Sequence, residues 1–302
     1  MIDSMQRLFE RHGLHSDVTK DLKDLKLPLH ILVSQALCDD RPWSDLMLVW
    51  KNLPFQMTKD ALMRTDDRFK RTPLHYAAEK APRSVIDLML LLAPDAARVK
   101  DSSGSLPLHN AAFFKNVDAI ELLVIAYPEA VLEKDHNGNT PLHFAVISAP
   151  CSIIDVFMSS APEIVCLNDV GSRLPHHHAK ENSDINAIGL LLNAYPEAAF
   201  VKDKNGRTPL HWAAMRADRC IIRLMLSTDP NVSRMKDSHG WLPIHHAAYN
   251  NNVGAIDLFV DACPEAVLEK NIDGRTPLDL LELDDIFQIL PLVEWSNNAL
   301  QH

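Results

Sequence analysis

Fifteen histidines are the side chains of this 302-residue chain most suited to chemistry, because imidazole binds metals and transfers protons near neutral pH. Seven of them share one spacing, two residues after a proline. They are His30, His75, His109, His143, His177, His211 and His245. Recurrence at a single structural position favours a structural role for these seven over catalysis or metal binding.

The run His176-His177-His178 is the remaining candidate for a metal site. Consecutive residues of a helix point about 100° apart, so three in a row cannot converge on one ion. No H-E-x-x-H pattern accompanies them, and the sequence holds no P-loop, G-x-G-x-x-G or G-x-S-x-G motif. We therefore predict a non-enzymatic protein with no catalytic residues, no cofactor and no metal.

The prolines before these histidines define a repeat that must position every other residue. They are Pro73, Pro107, Pro141, Pro175, Pro209, Pro243 and Pro277, each 34 residues after the last. A fixed period of this size predicts a solenoid of stacked helical repeats, each contacting only its neighbours. Each proline fits the first position of a helix, and a preceding threonine such as Thr208 can cap that helix.

A second, more apolar helix follows in each repeat and ends at a second proline, 21 residues after the first. An extended arm, such as residues 129–135, then leads to a turn at a glycine such as Gly138. The repeat that begins at Pro175 departs twice from this pattern. His176 replaces its apolar residue, and its glycine moves to Gly171, which predicts poorer packing and a weaker turn.

The residue before the proline alternates along the chain between leucine and threonine. In order these residues are Leu27, Thr72, Leu106, Thr140, Leu174, Thr208, Leu242 and Thr276. Leucine cannot accept a hydrogen bond from a helix N-terminus, so these repeats lack a cap worth roughly 1 kcal/mol. We expect their leucines to offset this loss through apolar contacts between repeats.

The repeat pattern predicts four segments. They are an N-terminal capping helix at 1–20, an irregular first repeat with an insertion at 21–72, regular repeats at 73–274 and a C-terminal capping repeat at 275–302. In the last segment Asp279 replaces the recurrent histidine. The alternative for residues 25–55 is a module of another kind. Leu27, Pro28 and Trp50 in that stretch loosely resemble an F-box, the adaptor of ubiquitin ligases, and the repeats would then hold a substrate.

Composition limits the partners and the compartment. The chain has 40 acidic and 30 basic residues and no basic stripe, so we expect no nucleic-acid partner. Five scattered cysteines without a C-x-x-C motif suit a reducing compartment, the cytoplasm or nucleus. No signal peptide and no uncharged apolar run of about 18 residues occurs, so we expect no membrane partner, and we expect a monomer.

Two short helices, a turn-forming arm and T-P-L-H-x-A, as in residues 208–213, resemble the ankyrin repeat at this period. The resemblance covers roughly residues 15–295. The 34-residue period and the Tyr-Pro-Glu-Ala arm at 127–130 resemble ankyrin arrays of diatoms and related protists. The resemblance implies an all-α solenoid of about eight repeats. It also implies a histidine hydrogen bond between repeats, and a scaffold that binds a protein on the concave face of the first helices and hairpin tips.

Candidate binding residues follow from the helix period. The third residue after each proline lies about 200° around the helix from the buried leucine, so we expect it to be exposed, and the residue three further on lies on the same side. Aromatic residues there would be binding hot spots. The candidate protein-binding residues are Tyr76, Asn110, Phe113, Phe144, His178, Trp212, Met215, His246 and Tyr249.

Overall fold

The computed structural model describes residues 55–181 and 184–281, without the side chains of residues 55–58, 148, 180 and 181. The predicted capping helix, the F-box-like segment up to residue 54 and the C-terminal repeat beyond residue 281 lie outside the described residues. The chain divides into two compact units, one ending at Asn137 and the other beginning at Gly138.

The described part of the N-terminal unit consists of α-helices and short 3-10 helices. The α-helices are Phe55–Met63, Pro73–Lys80, Arg83–Leu92, Pro107–Phe114 and Val117–Ala126, and the 3-10 helices are Pro94–Arg98 and Pro128–Val131. The first helix of one repeat packs against the first helix of the next, and second helices pack against second helices. This is the stacking that the period predicts.

The C-terminal unit repeats the same order of elements. Its α-helices are Pro141–Ser148, Cys151–Ser160, Ile185–Ala194, Pro209–Arg216, Arg219–Thr228, Pro243–Tyr249 and Val253–Ala262. Its 3-10 helices are Pro162–Cys166, Pro175–Glu181, Pro196–Phe200, Pro230–Arg234, Pro264–Val267 and Leu278–Leu280. No strand occurs among the described residues, and the predicted all-α helical repeat is confirmed.

Prolines set the helix boundaries where the sequence places them. Helix Pro209–Arg216 begins at the first proline of its repeat, and helix Arg219–Thr228 ends two residues before the second proline, Pro230. The arm after the second proline differs from our expectation. It opens with a 3-10 turn, Pro128–Val131 in the arm predicted to be extended, because proline starts a tight helical turn as readily as it ends a helix.

The recurrent histidine joins neighbouring repeats. In the Pro209 repeat, the Nδ1 atom of His211 accepts the backbone N–H of Thr208 at 3.0 Å, and the Thr208 hydroxyl lies 2.8 Å from the same atom. Nδ1 is therefore the acceptor, so the proton resides on Nε2, which lies 3.1 Å from the carbonyl oxygen of Trp241 in the next repeat. Both the hydroxyl and the backbone of Thr208 are thus held by the ring.

The same joint occurs at three other recurrent histidines. The Nε2 atoms of His75, His143 and His177 lie 3.1–3.3 Å from carbonyl oxygens 30 residues ahead. Burial lowers the pKa of His75 to about 4 and that of His211 to about 3, so both rings are neutral at physiological pH. The hydrogen bond between repeats that the resemblance implies is confirmed at these positions.

The last described repeat replaces this histidine with a carboxylate. Asp279 accepts hydrogen bonds from both the backbone N–H and the hydroxyl of Thr276, each at 2.8 Å. These bonds hold the pKa of the exposed Asp279 carboxyl below its ordinary value. Asp279 therefore ties down the start of its repeat as the histidine does elsewhere.

Hairpin turns require a left-handed residue three positions before the first proline. Glycine occupies it at Gly206, with φ +74°, and at four other turns with φ between +70° and +77°. Before Pro175 the left-handed residue is Ser172, with φ +60°, and not the displaced Gly171. The turn geometry is thus kept there with a residue that does not favour it.

The Pro175 repeat also departs from the others in its first helix, which is a 3-10 helix over Pro175–Glu181. Its His176 is buried where other repeats carry leucine or isoleucine. Nε2 of His176 lies 3.0 Å from the carbonyl oxygen of Leu191, while Nδ1 has no hydrogen-bond partner among the described residues. A tighter helix type with poorer hydrogen bonds agrees with the expected weaker packing.

Candidate protein-binding site

The nine predicted binding residues differ in exposure. Phe113 and Tyr249 are 53% and 67% exposed. Those of intermediate exposure are Tyr76, Phe144, His178, Trp212 and Met215. Asn110 and His246 are buried, so the expectation that every third residue is exposed is wrong at these two positions. Whether the nine residues contact a protein stays a prediction.

Hydrogen bonds explain why these two side chains turn inward. The Nδ2 atom of Asn110 donates to the carbonyl oxygen of His75 in the preceding repeat at 3.3 Å. Nε2 of His246 lies 3.0 Å from Oδ2 of Asp237, at the base of its own hairpin. Helical periodicity places a side chain on a face but does not include such polar partners from neighbouring loops.

An aspartate at the base of the hairpins, from Asp101 to Asp237, organises this surface. In the Pro209 repeat, Oδ1 of Asp203 accepts the backbone N–H groups of Asn205 and Arg207 at 2.8 and 2.9 Å. Its other oxygen, Oδ2, accepts the indole N–H of Trp212 at 3.1 Å. Trp212 is therefore positioned by the hairpin of its own repeat.

The Pro243 repeat has the same arrangement around Asp237. Oδ1 accepts the backbone N–H groups of His239 and Trp241, and Oδ2 is bonded to His246. Burial of the Asp237 carboxylate opposes its charge, but the hydrogen bonds from His246 and the two backbone groups outweigh burial and hold its pKa below the ordinary value. The hairpin and the first helix of this repeat are thus locked together.

A pocket of about 370 Å³ lies beside Asp237 and its hydrogen-bond partners. Its lining residues are Arg207, Met215, Asp237, His239, Trp241, His246, Tyr249, Asn250 and Asp273. Trp241 and Tyr249 stand with ring centroids 5.6 Å apart and planes at 73°, so they form two differently oriented walls. The structure brings together Met215, His246 and Tyr249 of the predicted residues here, while Phe144, His178 and Trp212 do not line this pocket.

None of the six remaining lining residues was among the predicted binding residues. Trp241 stands two residues before its proline, in a row whose other members are Arg71, Ser105, Asn139, Arg173, Arg207 and Arg275. The recurrence of aspartate at 34-residue intervals from Asp101 to Asp237 was a second usable signal. Both rows lie outside the helices, so helical periodicity does not reveal them.

The three rings of the run His176-His177-His178 meet different partners. The Nε2 atoms of His176 and His177 lie within hydrogen-bond distance of backbone carbonyl oxygens, and Nε2 of His178 lies 3.7 Å from Oδ2 of Asp169. Over residues 55–181 and 184–281, no group of three or more His, Cys, Asp or Glu side chains is arranged to hold a metal ion. In the same ranges no helix is long and apolar enough to cross a bilayer.

Comparison with protein families matches a model described as ankyrin repeats in three copies to residues 16–130 and 85–168. A single ankyrin repeat model matches residues 205–235. The first model spans half of the chain. The chain belongs to the ankyrin-repeat family. No curated protein matches this ankyrin chain.

Ankyrin repeats are generally modules of protein–protein interaction, and proteins built from them are typically non-enzymatic scaffolds that bind protein partners. In this ankyrin chain the pocket is lined by the aromatic residues Trp241 and Tyr249 and by the hydrogen-bonded pair Asp237 and His246. Tyrosine and tryptophan are enriched in the cores of protein interfaces, so the composition of the pocket suits that role.

Proposed function

We propose that this chain is a non-enzymatic scaffold that binds a protein or peptide on the face formed by its first helices and hairpins. In the C-terminal unit the principal contact is the pocket walled by Trp241 and Tyr249. The observation that supports this most is the exposure of Tyr249, 67%, at the rim of a formed pocket. Exposed aromatic side chains beside a pocket are typical binding hot spots.

Preorganisation also supports a binding role. Asp237 holds the side chain of His246 and the backbone of Trp241, so this part of the lining is already fixed before a partner arrives. Less conformational entropy is then lost on association. In the N-terminal unit, Phe113 is a separate candidate contact, since it is 53% exposed on a first helix.

The family match favours the scaffold over the ubiquitin-ligase adaptor. The ankyrin model begins its match at residue 16, so it includes the stretch 25–55 where the F-box resemblance lies. This supports an irregular repeat in that stretch. Binding of a Skp1-type protein to the full chain would overturn this preference.

Selection from a phage library of random peptides, with the full chain as bait, tests the scaffold proposal. Peptides that bind are synthesised, and their affinity is measured calorimetrically with the chain and with Tyr249→Ala. We expect Tyr249→Ala to weaken binding about tenfold, as for a hot-spot residue. The matched control is Leu268→Ala, which removes a side chain that is 52% exposed and does not line the pocket.

The control variant should bind as tightly as the original chain, and both variants should keep its thermal unfolding temperature. Equal affinities for the original chain and Tyr249→Ala would contradict the proposed role of the pocket.

A further inference from the structure

The pocket beside Trp241 also carries information about the chemistry of its partner. We propose, resting on the function proposed above, that it takes a lysine or arginine side chain, which lies against Trp241 and Tyr249 and pairs with Asp273. Three features of the C-terminal unit point to this occupant. They are the replacement by Trp241 of the arginine found at this position in the two preceding repeats, aromatic rings without a lysine or arginine of the described residues over them, and the charge of the lining.

The chain itself covers the neighbouring aromatic residue with cations. The guanidinium groups of Arg173 and Arg207 lie 5.9 and 5.4 Å from the ring centroid of Trp212. Both arginines stand two residues before a first proline, one in the repeat preceding Trp212 and one in its own repeat. Cation–π attraction operates at such distances, so the electron-rich face of Trp212 is already matched within the chain.

In the next repeat the same position is occupied by Trp241, whereas the two preceding repeats have Arg173 and Arg207 there. Its ring packs against Tyr249 and against His246, whose centroid lies 4.9 Å away. Within residues 55–181 and 184–281, no lysine or arginine lies over the ring of Trp241 or Tyr249. Trp212 therefore has cation–π partners within the chain, whereas the rings of Trp241 and Tyr249 have none among the described residues. A cation from a partner would supply one.

The charge of the lining favours the same occupant. Two carboxylates, Asp237 and Asp273, face one cation, Arg207. The Nε atom of Arg207 lies 3.6 Å from Oδ2 of Asp237, so this arginine is already engaged. Asp273 is exposed, and no ion-pair partner lies within 4.0 Å of its carboxylate among the described residues. A basic side chain would meet an available negative charge there, whereas an acidic one would be repelled.

The side-chain shapes are compatible with this choice. Lysine and arginine carry a flexible apolar stem below the charged group, and such stems pack along apolar surface while the charge stays at the rim. Met215 and the ring of Trp241 provide that surface within the pocket. Asp273 and Asn250, both exposed, provide acceptors near the rim.

Synthetic peptide pools test the proposal directly. Each pool is a mixture of pentapeptides with random residues at every position except the centre. The four pools differ only in the central residue, which is lysine, arginine, norleucine or glutamate. Their binding to the full chain is followed by fluorescence anisotropy. Norleucine keeps the stem of lysine and removes its charge. We expect the lysine and arginine pools to bind about tenfold more tightly than norleucine, with glutamate weakest, as cation–π and ion-pair contributions together suggest.

Asp273→Asn is the matching change in the protein, with Asp261→Asn as its control. Both aspartates are exposed, both changes remove one negative charge, and Asp261 lies on a second helix outside the pocket. Asp273→Asn should weaken the lysine pool about threefold and leave the norleucine pool unchanged, whereas Asp261→Asn should change neither. Circular dichroism checks that both variants fold like the original chain.

The results separate this inference from the proposed function. Equal binding of the lysine and norleucine pools, with both weakened by Tyr249→Ala, would overturn the basic occupant and leave the scaffold proposal standing. If the pools bind the Tyr249→Ala variant as tightly as the original chain, or do not bind at all, both the basic occupant and the proposed role of the pocket are overturned. A lysine preference that survives Asp273→Asn unchanged would overturn the pairing with Asp273.

Discussion

The Pro175 and Pro209 repeats are neighbours in the C-terminal unit and differ at the position that should be most constant. Leu210 is 1% exposed in an α-helix, and His176 is equally buried in a 3-10 helix. Both repeats keep the histidine joint, at His211 and His177. The histidine hydrogen bond between repeats is thus kept where the buried leucine is lost, but the first helix there is a 3-10 helix and not an α-helix.

Their hairpins differ in the same direction. The indole N–H of Trp212 donates to Asp203 at 3.1 Å, but Nε2 of His178 is 3.7 Å from the carboxylate of Asp169, too far for a hydrogen bond. The left-handed turn residue is a glycine in one repeat and Ser172 in the other. The Pro175 repeat therefore has weaker local interactions at three positions, His176, His178 and Ser172. Each residue can be replaced by the one at the same position of the Pro209 repeat.

The largest effect is expected from Leu210→His, which brings the Pro175 defect into the Pro209 repeat. The change removes a buried apolar side chain and buries a polar ring without a prepared partner. We expect a loss of about 4 kcal/mol in the free energy of unfolding at pH 8, measured by urea denaturation. Leu210→Met, the control, should cost less than about 1.5 kcal/mol. Similar losses for the two variants would refute the comparison.

The reverse change, His176→Leu, should stabilise the chain, and more so in acid. Burial lowers the pKa of His176 from 6.5 to about 4, so between these values the unfolded chain binds a proton that the folded chain does not. The stability of the neutral ring is present above pH 6.5 and is lost as the pH falls towards 4. Between pH 8 and pH 5 this loss is about 2 kcal/mol for one such ring.

Urea denaturation at both pH values measures this gain. The leucine variant should gain about 1 kcal/mol at pH 8 and about 3 kcal/mol at pH 5. The carbonyl of Leu191 keeps its hydrogen bond from the backbone N–H of Tyr195, so removing the histidine leaves it satisfied. A gain independent of pH would mean that His176 is not the buried titrating group.

A smaller gain is expected from Ser172→Gly. Ser172 has φ +60°, a conformation that costs an L-residue about 1 kcal/mol and glycine almost nothing, so the glycine should recover about that amount in thermal or urea unfolding. The mirror change, Gly206→Ser, should lose more, because a Cβ atom at Gly206 would lie 2.8 Å from the backbone nitrogen of Ser238. No loss in Gly206→Ser would contradict the role given to this turn.

The smallest effect is expected from Leu174→Thr, which gives the Pro175 repeat the threonine of its neighbour. The new hydroxyl can bond Nδ1 of His177, but Leu174 is 4% exposed and its apolar burial is lost. These terms should offset within about 0.5 kcal/mol in urea unfolding. A clear gain would show that the buried leucines do not compensate for the missing hydroxyl.

Much of the fold was predictable because the same residues recur at one spacing. Proline sets helix ends such as Thr228 through local sterics, and glycine marks left-handed turns such as Gly206, so short-range rules suffice there. The 3-10 turns after the second proline were missed because hydrophobic periodicity over four or five residues carries too little information.

The candidate site was less predictable because its geometry depends on contacts between a loop and a helix. Helical periodicity selected Tyr249 and Met215, but it placed the buried His246 on the surface and overlooked Trp241. The partner of His246 is Asp237, nine residues earlier in a hairpin, and no pattern along one helix contains that contact.

The histidine joint described in the fold has a consequence for how this family member can change. Each Nε2 meets a main-chain oxygen, that of Ser105, Arg173, Arg207 or Trp241, and so makes no demand on the side chain of that residue. The side chains at these four positions can therefore change by mutation while the hydrogen bonds between repeats remain. If the proposed binding surface is correct, its side chains can change to suit another partner without loss of the main-chain contacts that join the repeats.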